Sequence, residues 1–110
     1  MKRHWIAIPV VAVSLAAATM AAQERMTAEE RATQGRQLFV AQGCHGCHIV
    51  GKLGTPIGPD LSHAGAKYSE AYLKSWLRDP ATQRPAAHMP QLELTEPQIA
   101  ALAAFLASLP

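Results

Sequence analysis

From Thr27 onward the apolar positions recur every three or four residues. Ala28, Ala32, Gly35 and Phe39 fall on one face of a helix that Thr27 and Glu30 open as a capping box. Gly43 is a good carboxyl-terminal stop for it, so this helix delivers the chain directly to Cys44. A second helical run begins at Ser69 and continues to Arg78, where Asp79-Pro80 ends it; Leu73, Trp76, Leu77 and Tyr72 make its inward face. A third starts at Thr95, with Gln98 as its capping-box partner and Pro97 tolerated in the first turn. Ile99, Leu102, Leu106 and Leu109 form its apolar stripe, with Phe105 beside them. That stripe needs a surface to pack on. The first helix offers Gly35 and Phe39, where the glycine permits a close crossing. The pattern predicts an all-α fold.

Between these runs the pattern lapses. Gly51, Gly54, Gly58 and Gly65 with Pro56 and Pro59 forbid a long regular element between Ile49 and Lys67, which reads as a wrapping loop. A second loop carries Pro80, Pro85 and Pro90 and ends at Ala87-His88-Met89-Pro90. There is no internal repeat, and the one biased segment is an Ala-rich stretch near the amino terminus.

That stretch belongs to a different kind of element. Lys2, Arg3 and His4 precede an apolar run from Trp5 that continues through alanines to Ala22, the basic and hydrophobic regions of a secretory signal. Residues 1–22 are therefore expected to be a signal peptide and residues 23–110 one small domain. An uncleaved anchor is the competing reading, since the run is close to the roughly 17 residues needed to span a bilayer, but Pro9 and the alanines weaken it as a membrane helix. Without Lys2 and Arg3 the remaining basic and acidic side chains number eight each. The formal excess of +2 thus lies in the leader, and no basic run points to nucleic acid.

The chemistry concentrates at Cys44-His45-Gly46-Cys47-His48. Two thiols separated by two residues, with an imidazole directly after the second, is the spacing that attaches a c-type haem. Both sulfurs reach one porphyrin edge, and His48 falls under the iron as an axial nitrogen. Zinc normally takes four protein ligands, and no second CxxC or HxxxH completes such a set. A dithiol oxidoreductase would carry a βαβ pattern around the pair, and none is visible. In an exported chain two free cysteines would ordinarily pair, but thioether formation removes both from that chemistry. The mature segment is too short for a generous apolar core, so a buried porphyrin is expected to be its largest hydrophobic component and the haem-free chain to be unfolded or molten.

Three further positions gain meaning beside that motif. A ligating histidine generally donates its second ring N–H to a fixed acceptor, and the Pro59 carbonyl in Gly58-Pro59-Asp60-Leu61 is the candidate for His48, with Leu61 packing on the ring; a plain Gly-Pro turn explains the same residues. Met89, flanked by proline and outside any helix, is an odd core filler and a sensible sixth ligand, 41 positions beyond His48. His88 and His63 are rival donors. Trp76 reads either as core packing or as an indole N–H donor to a haem propionate.

With these residues assembled, the chain resembles the class I cytochromes c, particularly the small bacterial monohaem kind. The resemblance rests on the Gly35 and Phe39 helix, CxxCH, Gly58-Pro59-Asp60-Leu61, the short helix, Met89-Pro90, and the Leu102 and Phe105 terminal helix. It implies three to four helices wrapped around one covalently attached haem c, with the terminal helices crossing. It implies axial ligation by His48 and Met89, the Pro59 carbonyl on the histidine, and Cys44 and Cys47 as thioethers. The family's propionate-binding residues do not map as securely, leaving Trp76, Arg84 and Tyr68 as candidates. With both axial positions filled, the expected function is one-electron transfer by an exported, periplasmic carrier between a dehydrogenase donor and a terminal acceptor such as an oxidase, and not catalysis. The alternatives are a tightly bound haem subunit of a larger redox enzyme and, behind it, a haem peroxidase, which needs an open sixth position.

Overall fold

The computed structural model describes residues 25–110, together with Ala17, Ala18 and Ala21. Apart from those three alanines, the expected leader over residues 1–22 lies outside the described residues. Among the described residues no helix is long and apolar enough to cross a membrane.

Helix α1 (Ala28–Ala41) opens on the expected box: the Thr27 side chain accepts the Glu30 N–H at 3.1 Å, and the Thr27 N–H donates to Glu30 Oε2 at 2.8 Å. An N-cap of this kind contributes about 1 kcal/mol. The helix closes as the Gln42 N–H donates to the Leu38 carbonyl, and Gly43 follows at φ 76°, a left-handed conformation that glycine adopts without strain. Gly35 and Phe39 are buried, whereas Ala28 is exposed, so the inward face is shorter at its start than the periodicity predicts.

The interval after Cys47 carries more order than a bare loop. Strands β1 (Ile49–Val50) and β2 (Leu53–Gly54) pair antiparallel, Ile49 opposite Gly54 and Val50 opposite Leu53, around a turn in which Gly51 has φ 61°. A one-turn helix α2 (Ala64–Lys67) follows. Two-residue strands are too short for an alternating pattern to register, which is why the sequence reads as loop.

Helix α3 (Glu70–Arg78) is capped by Ser69, whose hydroxyl accepts the Tyr72 N–H at 3.1 Å. Leu73 and Leu77 are buried and Trp76 half-buried, but Tyr72 is 38% exposed and is not part of the inward face. It stacks instead on Tyr68, with centroids 5.2 Å apart. Asp79 ends α3 and in the same position caps a further short helix, α4 (Pro80–Gln83), accepting the Ala81 N–H at 3.2 Å. Pro80 at the first helical position needs no donor partner there, so a residue read as a breaker starts an element.

Helix α5 (Glu96–Ala107) begins at the Thr95–Gln98 box and is the centre of the core. The six consecutive residues Ala101–Leu106 are all buried, which no one-sided stripe provides. The small faces of Ala101, Ala103 and Ala104 let neighbours approach where larger side chains would hold them off. At Gly35 a Cβ would lie 1.9 Å from the Ala101 carbonyl oxygen, so the α1–α5 crossing requires glycine. Phe39 meets Phe105 edge-on at 5.8 Å and is 1% exposed, a burial worth about 2–3 kcal/mol. On another side, α2 presses against the end of α5, where a Cβ on Gly65 would run into the Ala107 carbonyl.

Candidate haem-attachment site

Cys44 and Cys47 sit on and just after a 3₁₀ turn, Cys44–Gly46, that begins where α1 stops. The Gly46, Cys47 and His48 N–H groups donate back to the Gly43 and Cys44 carbonyls, so the motif is a closed turn anchored to the helix end. The two thiols are unpaired; Cys44 is half-buried and Cys47 exposed. Burial pushes the Cys44 thiol up from its ordinary pKa, against a smaller opposing effect from a backbone hydrogen bond. Among the described residues no three His, Cys, Asp or Glu side chains gather in a way that could hold a bare metal ion.

His48 is held from behind. Its Nδ1 lies 2.8 Å from the Pro59 carbonyl oxygen. A carbonyl can only accept, so Nδ1 carries the proton and the Nε2 lone pair is left for a ligand. Gly58 lies flat against the ring, where a Cβ would come within 2.7 Å of His48 Cε1. The loop that brings Pro59 there is fixed to Cys47 and to β1: the Gly58 N–H donates to the Cys47 carbonyl, and the Leu61 N–H to the Ile49 carbonyl at 2.8 Å. Ser62 adds a tie, its hydroxyl accepting the Gly51 N–H at 2.8 Å while its own N–H donates to Asp60 Oδ1 at 2.8 Å. The Ser62 hydrogen bonds hold the Asp60 carboxyl below the usual carboxylate range. Opposite Ile49, Gly54 passes so close to His48 that a Cβ would meet the His48 carbonyl oxygen at 1.9 Å.

The sequence points to Pro59 but assigns no role to Gly54, Ser62 or the short hairpin. Gly54, at φ 119°, carried a signal as one of several loop glycines; Ser62 carried none, since its importance comes from Gly51 arriving beside it.

Leu61 and Met89 are half-buried and pack against the main core cluster, as does Cys44. The Trp76 indole Nε1–H donates to Met89 Sδ at 3.2 Å. His63 is exposed and its ring is hydrogen-bonded to the Pro110 carbonyl, and His88 is exposed on the loop. Tyr68 and Arg84 are both exposed. An open recess lined by Arg36, Val50, Ser62, His63, Phe105 and Leu109 contains none of Cys44, Cys47, His48 and Met89.

This donor set fits a haem c. It combines two unpaired thiols on one tight turn, a tautomerically fixed imidazole directly after them, and a glycine that leaves room for that ring.

Comparison with known proteins agrees with this chemistry. The family signature described as Cytochrome c matches residues 32–110. The chain is also 34% identical, over 99 residues, to a protein of Alkalihalophilus pseudofirmus named cytochrome c oxidase subunit 2. That match takes in 82% of this chain but spans only 29% of the length of the relative.

Proposed function

We propose, on the premise that this chain belongs to the cytochrome c family and is an electron-transfer protein carrying covalently attached haem c, that it is an exported carrier whose iron is held between His48 and Met89. Cys44 and Cys47 form the thioethers. Bound there, haem c supplies a one-electron couple. The observation that carries the reading is the His48–Pro59 bond at 2.8 Å, because it fixes the ring directly after the two thiols and leaves Nε2 as the nitrogen free for a ligand. His48 supplies the basic nitrogen and Pro59 fixes its orientation. Met89 supplies a soft thioether that favours the reduced state, and Leu61 adds apolar cover that disfavours extra charge. With His48 and Met89 both holding the group, the site would transfer an electron without binding a substrate. Residues 1–22 act as a secretory signal, and the mature domain works in the periplasm between a dehydrogenase and a terminal acceptor.

A second reading has a specific observation in its favour. The relative that this chain matches in part is named as an oxidase subunit, which supports a haem module held in a larger redox complex as the alternative. Affinity capture from the native exported fraction, followed by a haem-stained gel, separates the two: a free carrier elutes alone, and a subunit brings a catalytic chain with it.

The ligand assignment has its own test. The purified protein is expected to weigh one haem more than its polypeptide, to be low-spin, and to bind no carbon monoxide when reduced. Met89→Ala is expected to lower the reduction potential and to open the iron to carbon monoxide. An unchanged spectrum in that variant would remove Met89 from the site, and carbon monoxide binding by the unaltered protein would favour peroxidase chemistry.

A further inference from the structure

The open recess at the short hairpin combines two kinds of surface that the haem site does not use. Its volume is about 630 Å³, inside the roughly 300–1,000 Å³ of ligand clefts. Val50, Phe105 and Leu109 make an apolar floor that packs with the main core. Leu53 on β2 extends it and is 40% exposed. Three basic side chains line the same space: Arg36 from α1, Lys52 from the turn between β1 and β2, and His63 from the position before α2. No carboxylate lines it. The ion pairs among the described residues, Lys74 with Glu70 and Arg78 with Glu96, involve neither Arg36 nor Lys52. Asp60 is close enough to His63 to interact with its charge, but its carboxylate accepts the Ser62 N–H and is not part of the lining. The recess is also held in shape. The Gly51 N–H donates to the Ser62 hydroxyl at 2.8 Å, pinning the hairpin turn, and the His63 ring is bonded to the Pro110 carbonyl.

We infer that this recess is a docking surface for an acidic segment of a protein partner, one that carries an apolar side chain between its carboxylates. Outside the leader the basic and acidic side chains number eight each, so the gathering of positive charge here is local and does not follow from a basic protein. An apolar centre with a charged rim is the ordinary composition of a protein interface, and arginine is favoured in it. The carboxylates would meet Arg36 and Lys52 while the apolar side chain covers Val50 and Leu109. A bilayer is a poorer match, since juxtamembrane basic clusters hold about 4–8 lysines and arginines and this surface has two. Nucleic acid would ask for a row of phosphate contacts, and the chain has no basic run. The recess contains none of Cys44, Cys47, His48 and Met89, so a partner can be held here with those residues outside the contact. The inference goes beyond the ligand assignment and does not depend on Met89.

The test is a titration of the purified, isotope-labelled ferrous holo-protein, followed by amide NMR, with a capped pentapeptide of four glutamates around one leucine. Shifts are expected to concentrate on Val50–Leu53, Ser62 and His63 and to diminish as salt is added. Arg36→Glu combined with Lys52→Glu should weaken binding about tenfold or more, the combined scale of two surface ion pairs, whereas Arg36→Lys should stay within about twofold. A peptide with glutamines in place of the glutamates should leave the spectrum unmoved. One with serine in place of leucine should bind about threefold or more weakly. The haem absorption bands are expected to stay the same throughout. No binding, shifts centred on other residues, or an affinity indifferent to salt and to charge reversal overturns the inference. Phosphatidylglycerol vesicles that shift these amides where the peptide does not would assign the recess to a membrane, and that result overturns it too. Arg36 and Lys52 are exposed, so the charge reversals should leave the fold intact. If the double variant nevertheless fails to mature, the salt series and the glutamine peptide on the unaltered protein decide the matter.

Discussion

The imidazole of His48 is gripped between a carbonyl and a glycine: Pro59 oxygen lies 2.8 Å from Nδ1, and Gly58 leaves no room for a methyl group beside Cε1. In Gly58→Ala the added Cβ, 2.7 Å from Cε1 and 3.0 Å from Nδ1, must turn the ring or push the loop outward. Either movement weakens the bond to Pro59. The expected loss is about 1–3 kcal/mol of stability, the usual cost of overpacking, read from the denaturant midpoint of the holo-protein. On the proposed ligation by His48, a changed reduction potential should accompany it, since the same displacement moves that nitrogen.

Gly35→Ala tests the helix crossing. Its Cβ would sit 1.9 Å from the Ala101 carbonyl oxygen and 2.7 Å from Phe105 Cβ, and the first of these is backbone that no rotamer change can move. Helices α1 and α5 must separate, and Phe39 loses its edge contact with Phe105. A destabilisation of about 3 kcal/mol, at the upper end for small-to-large changes, is expected by chemical denaturation. A variant as stable as the parent would contradict the crossing.

The double variant Cys44→Ala with Cys47→Ala should lose covalent haem, as mass spectrometry would report, and with it the cooperative melt. Cys44, Leu61 and Met89 all pack against the main core while half-buried, and a domain this small gains much of its apolar burial from a bound porphyrin. A melt near the temperature of the holo-protein would contradict this.

Acid should weaken the tie between α3 and α5. Arg78 Nη2 lies 2.7 Å from Glu96 Oε2, and the hydrogen bonds from Arg78 hold the Glu96 carboxyl below its ordinary pKa. Because the folded value is the lower one, the stabilisation is full above the ordinary glutamate range. It is lost as pH falls from there through the folded value. Glu96→Gln should therefore lower the melting temperature slightly at neutral pH and not at all once wild-type Glu96 is protonated. Both side chains are exposed, so added salt should shrink the difference as well.

The sequence by itself determined the three longer helices and their starts, because capping boxes, an opening serine and a closing glycine act within one turn of backbone. It also pointed to the proposed attachment chemistry, since CxxCH places both sulfurs and one imidazole within five residues and needs no distant partner. Pro59 was legible too, although only as one of two readings, because its value depends on His48 arriving 11 positions away. What tertiary structure alone decided depends on close approach between segments far apart in the chain. The unbroken burial of Ala101–Leu106 in α5 involves alanines that carry no strong periodic signal, and Tyr72 stands outward, stacked on Tyr68. The hairpin at Ile49–Gly54 is too short to leave a pattern, and the indole of Trp76 finds the sulfur of Met89 only once α3 is docked. Local backbone chemistry is written in neighbouring residues, whereas contact between distant ones is settled by how the whole chain packs.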